Sequence, residues 1–199
     1  AVERGAASRQ ETNAERAARV ESERKRAAER DRFLSSTDGV EAAQQEVQTL
    51  RAHLKQEVEQ VAANSPSLGI SYHETHNAAL VRSRGRSFTA AWSGQYSNTL
   101  DGSELFIRVV AGPRSLGGSH ERAHVLREIG LSFSMDDAGL PGWQSDQNAT
   151  KRVVPTRELV ADLVRDVIDH ANDTPRYDPP ENEVEDENDV SWLIDDNYA

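Results

Sequence analysis

The sequence predicts an α+β protein: a small antiparallel sheet covered by a C-terminal helix, preceded by a long N-terminal helical arm. Three observations carry this prediction. The composition changes at Asn64-Ser65-Pro66, with one aromatic residue, Phe33, before the break and every Tyr and Trp after it. Short alternating apolar runs fill residues 67–144. A single apolar stripe of helical period runs from Thr156 to Ala171. Strand-type runs followed by a helical run segregate in the way α+β folds do.

Residues 1–36 are dominated by Ala, Arg and Glu, which favour helix and leave almost nothing to bury. Glu21 and Lys25 stand four apart with the sign order that supports a helix. This predicts an exposed helical arm that Ser35-Ser36-Thr37 interrupts. Residues 37–64 differ. Val40, Ala43, Val47, Leu50, Leu54, Val58 and Val61 follow one another at spacings of 3, 4, 3, 4, 4 and 3. That is one face of a helix and close to a heptad pattern. Asp38 with Glu41 three residues later reads as its N-terminal capping box. The stripe suits packing on its own domain or a short coiled coil with a second copy, in which Val47, Leu50 and Leu54 would be contact residues. Asn64-Ser65-Pro66 ends it, because a residue before proline is driven out of helical geometry.

Residues 65–172 are read as the folded domain, with five or six strands. Leu68 to Tyr72 alternates. Ala78 to Arg82 and Ser87 to Trp92 flank Arg84-Gly85 as a hairpin. Leu105 to Val110 is the most apolar strand, and Ile129 to Met135 is another. Thr156 to Ala171 carries Leu159, Val160, Leu163, Val164, Val167 and Ile168 on one side, with Thr156 as N-cap. Such a face needs a sheet beneath it. Strands followed by one closing helix resemble the order in PH-like domains, a likeness of fold that implies no activity.

The net charge of −11 is a tail property: residues 173–199 hold ten acids and one base, Arg176, and so carry −9 of it. The rest is near neutral, which predicts neither a basic nucleic-acid face nor general repulsion from one. Within the tail, Val190, Trp192, Leu193, Ile194 and Tyr198 stand among acids. Trp192, Leu193 and Ile194 read as an anchor that docks on a partner or tucks back onto the domain. No apolar stretch spans a membrane and none reads as a secretory leader. Cysteine is absent, which excludes disulfides and thiolate metal sites and fits a cytoplasmic setting.

One motif points to chemistry. His120-Glu121-Arg122-Ala123-His124 matches the HExxH pattern and resembles the zincin metallopeptidases over those five residues. The resemblance implies zinc held by His120 and His124, with Glu121 as general base. Arg122 stands where that family has an uncharged residue, and no third ligand is marked. His73 and His76 form a second cluster at a strand end and turn; if a metal binds, one or the other would complete a site with His124, since residues three apart in a strand point to opposite faces. Arg82, Arg84 and Arg86 make a basic hairpin tip able to touch phosphate. The leading expectation is a non-catalytic protein-interaction module that needs no cofactor, self-associates through residues 37–64 and binds an unidentified protein through its domain or tail. The alternatives are a zinc hydrolase and, less favoured, nucleic-acid binding through the basic tip.

Overall fold

The computed structural model describes residues 11–112, 124–145 and 152–173. Two helices come first, α1 (Asn13–Leu34) and α2 (Thr37–Asn64). A turn of 3-10 helix at Pro66–Leu68 leads into seven strands. These are β1 (Ser71–Glu74), β2 (Ala78–Arg82), β3 (Arg86–Trp92), β4 (Leu105–Ala111), β5 (Val125–Met135), β6 (Pro141–Gln144) and β7 (Val153–Val154). Helix α3 (Thr156–Asp169) follows. The sheet is antiparallel throughout, and its strands lie side by side in chain order. The α+β class predicted from the sequence is the observed one.

Helix α1 is the exposed arm that its composition predicts, with no buried residue. Its start is fixed by a capping box missed in the sequence. Thr12 accepts the Glu15 amide at 3.2 Å, and the Glu15 carboxylate accepts the Thr12 amide at 2.8 Å. That backbone bond, with a second bond from the Thr12 hydroxyl, holds the Glu15 carboxyl below the usual carboxylate range. Only at its end, through Phe33 and Leu34, does α1 touch the core.

Ser36 makes the corner into α2. Its hydroxyl donates to the Phe33 carbonyl at 2.6 Å and accepts from the Gly39 amide at 3.3 Å, joining the two helices. The N-cap is therefore Ser36 and not Asp38. The corner is also tight: a Cβ on Gly39 would stand 2.4 Å from the Phe33 carbonyl oxygen.

The α2 stripe is buried within its own chain. Val47, Leu50 and Leu54 are 4%, 1% and 0% exposed, in one cluster with α3 and the inner face of the sheet. The surface that a coiled coil would use is thus already covered, because α3 and the sheet meet the same stripe. The expected boundary at 64–65 is a change of element, with a common core on either side of it.

Helix α2 meets β1, β2 and β6, and α3 meets β2, β3 and β6, so the sheet curves around the helix pair. Strand β5 makes the curve. Val125–Leu131 pairs with β4, and Ser132–Met135 pairs with β6. At the centre Trp143, fully buried, meets Trp92 and Phe133 edge to face at 5.8 and 6.1 Å. Each such pair is worth about 0.5–1.5 kcal/mol beyond its buried area. The Trp143 indole N–H donates to the Thr156 hydroxyl at 2.9 Å, and that hydroxyl donates to the Glu46 carboxylate of α2. Thr156 is consequently the first helical residue of α3 and its side chain serves the core; the N-cap position is held by Pro155. No described helix is long and apolar enough to cross a membrane.

Candidate binding surface

The register divides the sheet into two faces. Tyr72, Val81, Phe88 and Val109 stand in one row and point at the helices. The neighbouring row, His73, Leu80, Thr89, Arg108 and Glu128, points the other way. Beside it on the outer face lie two more rows, Ser71, Arg82, Ser87, Val110 and Val125, then Ala78, Ala91, Phe106 and Gly130. The helices pack on the inner face. The outer face nonetheless carries Ala78, Leu80 and Val110 at 7%, 1% and 1% exposure, and none of the three belongs to the core cluster.

Around these lies a mixed border. Arg108 is bonded to Glu128 at 2.6 Å, and its guanidinium carbon sits 5.9 Å from the centre of the Phe106 ring. The Glu104 carboxylate lies over Gly130, 2.9 Å from where a Cβ would stand. The register skips one residue between Val109 and Val110, leaving Leu126 as the extra residue of a bulge. Leu126 and its neighbour Val125 are 41% and 43% exposed. The outer face thus mixes apolar Leu80, Phe106 and Val110 with polar Thr89 and Arg108, with Arg82 on β2 and the carboxylates Glu104 and Glu128 toward β5.

At one end of the face, α3 meets the β2–β3 turn. The Gly85 amide donates to the Ala171 carbonyl at 3.1 Å, and the Gly85 carbonyl accepts from Gly112 at 2.9 Å. This turn holds the three arginines of the basic tip, which do not act together. Arg86 reaches the inner side and pairs with Asp166 of α3 at 2.7 Å. Arg82 donates to the Ser71 hydroxyl at 3.1 Å, while Arg84 is exposed.

The opposite end holds a polar corner that the sequence marked only by its histidines. Arg51 of α2 donates to the His76 carbonyl at 3.1 Å and pairs with Glu74 at 3.4 Å. Glu74 accepts from the Tyr72 hydroxyl at 3.0 Å. His76 Nε2 has two neighbours, Tyr96 Oη at 2.8 Å and Gln95 Nε2 at 2.7 Å. The Gln95 NH2 group is a donor, so Nε2 is the acceptor of that bond. This corner ties the 93–104 loop to the β1–β2 turn. Arg51, Gln95 and Tyr96 carry no spacing signal, since they come from a helix and a loop.

Burial and the neighbouring Glu74 carboxylate push the Tyr72 phenol well above its ordinary range. Because the folded value is raised, the folded state resists ionisation that the unfolded chain undergoes from about pH 10. Tyr72 therefore contributes stability that is complete below that pH and is lost as pH rises beyond it. In absorbance titration near 295 nm, the last phenol to ionise should vanish in Tyr72→Phe. The fall in stability above about pH 10 should become shallower in the same variant. An unchanged titration curve would count against this placement.

For the zinc motif, His120 and Glu121 lie outside the described residues. His124 is exposed and runs straight into β5, its carbonyl accepting the Ala111 amide at 2.9 Å, so the backbone there is engaged with β4 and is not helical. The topology does not bring together the suggested pairing of His124 with His73 or His76: His73 is on β1, three strands away from β4. His124 lies beside the Ala111 end of β4, whereas His76 lies beside the Leu105 end, about 20 Å away along a seven-residue strand. Among the described residues no group of three or more His, Asp or Glu is placed to hold a metal ion. Trp192, Leu193 and Ile194 also lie outside the described residues. No family model matches the chain, and no curated protein or solved structure matches it either.

Proposed function

We propose that the protein is a non-catalytic interaction module whose outer sheet face takes an apolar segment with acidic flanks from a partner protein. The observation that carries this reading is the exposed pair Val125 and Leu126 at the β5 bulge, at the border of the face away from the helices. Apolar side chains left exposed beside charged ones suit a protein contact. Arg82 and Arg84 favour carboxylates at the β2 side, while Arg108 of β4 is paired with Glu128. The surface is this face and not the α2 stripe, since Val47, Leu50 and Leu54 are already engaged inside the chain.

Selection of a random peptide library on the full-length protein tests it. Enriched peptides should combine Trp, Phe, Leu or Ile with Asp or Glu, and Leu126→Ser with Arg84→Glu should weaken their binding at least about tenfold, on the order of one hot-spot contact. Enriched peptides that bind this double variant as well as they bind the original would place the surface elsewhere.

A further inference from the structure

We propose that the free edge of β1, with the groove between it and α2, takes one more strand: an extended segment of another protein, apolar at alternate positions and paired antiparallel to Ser71–Glu74. This site is separate from the outer face and does not depend on it.

The register shows which main-chain groups are open. The Thr75 amide donates to the Ala78 carbonyl at 2.8 Å, so residues 75 and 78 are a bonded pair. Bonded and unbonded pairs alternate along an antiparallel ladder. His73 with Leu80 and Ser71 with Arg82 are then bonded pairs, while Tyr72 with Val81 and Glu74 with Ala79 are not. The next hairpin agrees. Ser83 donates to the Arg86 carbonyl at 2.9 Å, which turns Ala79 and Val81 toward β3 and leaves Leu80 and Arg82 for β1. The N–H and C=O of Tyr72 and of Glu74 therefore point away from β2, and β1 is the outermost strand on that side. Among the described residues no backbone group bonds to them.

The two edges of the sheet differ. Strand β7 is two residues long, and Pro155 follows it. Strand β1 keeps an unshifted register over four residues, without Pro, Lys or a bulge, the usual means of blunting an edge.

The groove beside β1 measures about 450 Å³. Val58 and Ile70 are buried at its base, while Ala62 and Tyr72 are half-buried on its walls. The Tyr72 hydroxyl is already bonded to Glu74, so a ligand meets the ring and the main chain. On an added strand, the residue opposite Tyr72 points to the same side of the sheet with its Cβ about 5 Å away. Its side chain enters the groove. Lys55 and Glu59 are exposed at the rim, and Glu74 is paired with Arg51, two bases against two acids, which favours no charge on the ligand. An apolar side chain is what this balance suits. Main-chain bonds then supply affinity and the groove supplies specificity. A second copy fits less well. Twofold pairing about His73 sets Glu74 opposite Tyr72, and that carboxylate is held by Arg51 and Tyr72 of its own chain.

Random peptides of about nine residues are selected on the full chain. Those that bind Leu126→Ser with Arg84→Glu as well as the original are kept, which sets aside ligands of the outer face. Kept peptides should be apolar at alternate positions, and salt should hardly change their binding. Synthetic copies, N-methylated at one residue at a time, should lose at least about tenfold at every second residue and little between, because only alternate amides face β1. Glu74→Pro removes an outward N–H and no bond to β2, and should also weaken binding at least about tenfold. Glu74→Thr loses the same side chain but keeps the N–H, and should change binding less than about threefold. No kept peptide, losses without a two-residue period, or equal binding by the two Glu74 variants would overturn the proposal. The N-methyl series uses the unmodified chain, so it decides the matter if Glu74→Pro does not fold. A dimer of the unmodified chain that Glu74→Pro dissociates would give the edge to a second copy and refute the partner named here.

Discussion

Leu54→Ala lowers the stability of the chain by about 2–5 kcal/mol and leaves its mass in solution unchanged. The residue is 0% exposed, in the cluster that joins α2 to α3 and the inner sheet face. Removing its isobutyl group forfeits transfer free energy and leaves a cavity between a helix pair and a sheet, elements that cannot close on it without losing other contacts. Typical domains have only about 5–15 kcal/mol to lose, so the shift in denaturant midpoint should be large. Light scattering on the same samples separates the two roles of the stripe. A loss of less than about 1 kcal/mol accompanied by dissociation of a dimer would mean that Leu54 faces a second copy and not α3.

Gly85→Ala is the second large effect, and its mechanism is crowding. A Cβ there would stand 2.0 Å from the His170 carbonyl oxygen and 2.8 Å from both backbone nitrogen and oxygen of Asp173. These are backbone atoms at the end of α3, so no side chain can swing aside. Three segments meet at this glycine, through the bonds to Ala171 and from Gly112. Relief requires the last turn of α3 to lift from the β2–β3 turn. Overpacking of this kind costs about 1–3 kcal/mol. Thermal unfolding should report it, with faster amide exchange at Gly85. A neutral effect would mean that the end of α3 moves freely.

The elements legible in the sequence are those in which one side chain in three or four, or every second one, is apolar because one face is covered. Helix α3, the stripe of α2 and the Arg84-Gly85 hairpin fall in this group, and strands β2 and β4 were found almost to the residue. What was missed has other causes. Strands β6 and β7 are four and two residues long, too short to show a period. Asp38 looked like the cap of α2 because it precedes Glu41, yet Ser36 can satisfy both helix ends with one hydroxyl. Thr156 was read as a cap, but its hydroxyl is held between Trp143 and Glu46, 13 and 110 residues away in sequence. The stripe of α2 says that a face is covered and nothing about what covers it. The outer face had a visible signal, the unbroken run Ala78-Ala79-Leu80-Val81, but it was read only as a strand. The corner built from Arg51, Glu74, His76 and Tyr96 exists only after the chain has folded, since no local pattern unites a helix, a turn and a loop.

The chain-order arrangement of the strands bears on how the molecule is made. Each strand pairs with the strand synthesised just before it, so hairpins can form one after another as residues emerge, with small loop-closure cost. The helix pair is different. Helix α2 is complete at residue 64, but its partner α3 ends at residue 169. For those hundred or so residues Leu50, Leu54 and the inner face of a growing sheet lack one of their three walls. Synthesis therefore passes through a stage at which the most apolar surface of the protein is half covered, the stage at which association with other nascent chains competes with folding. Arrival of Thr156–Asp169 ends it in one step, and a pause in translation just before that helix should raise aggregation more than a pause anywhere earlier.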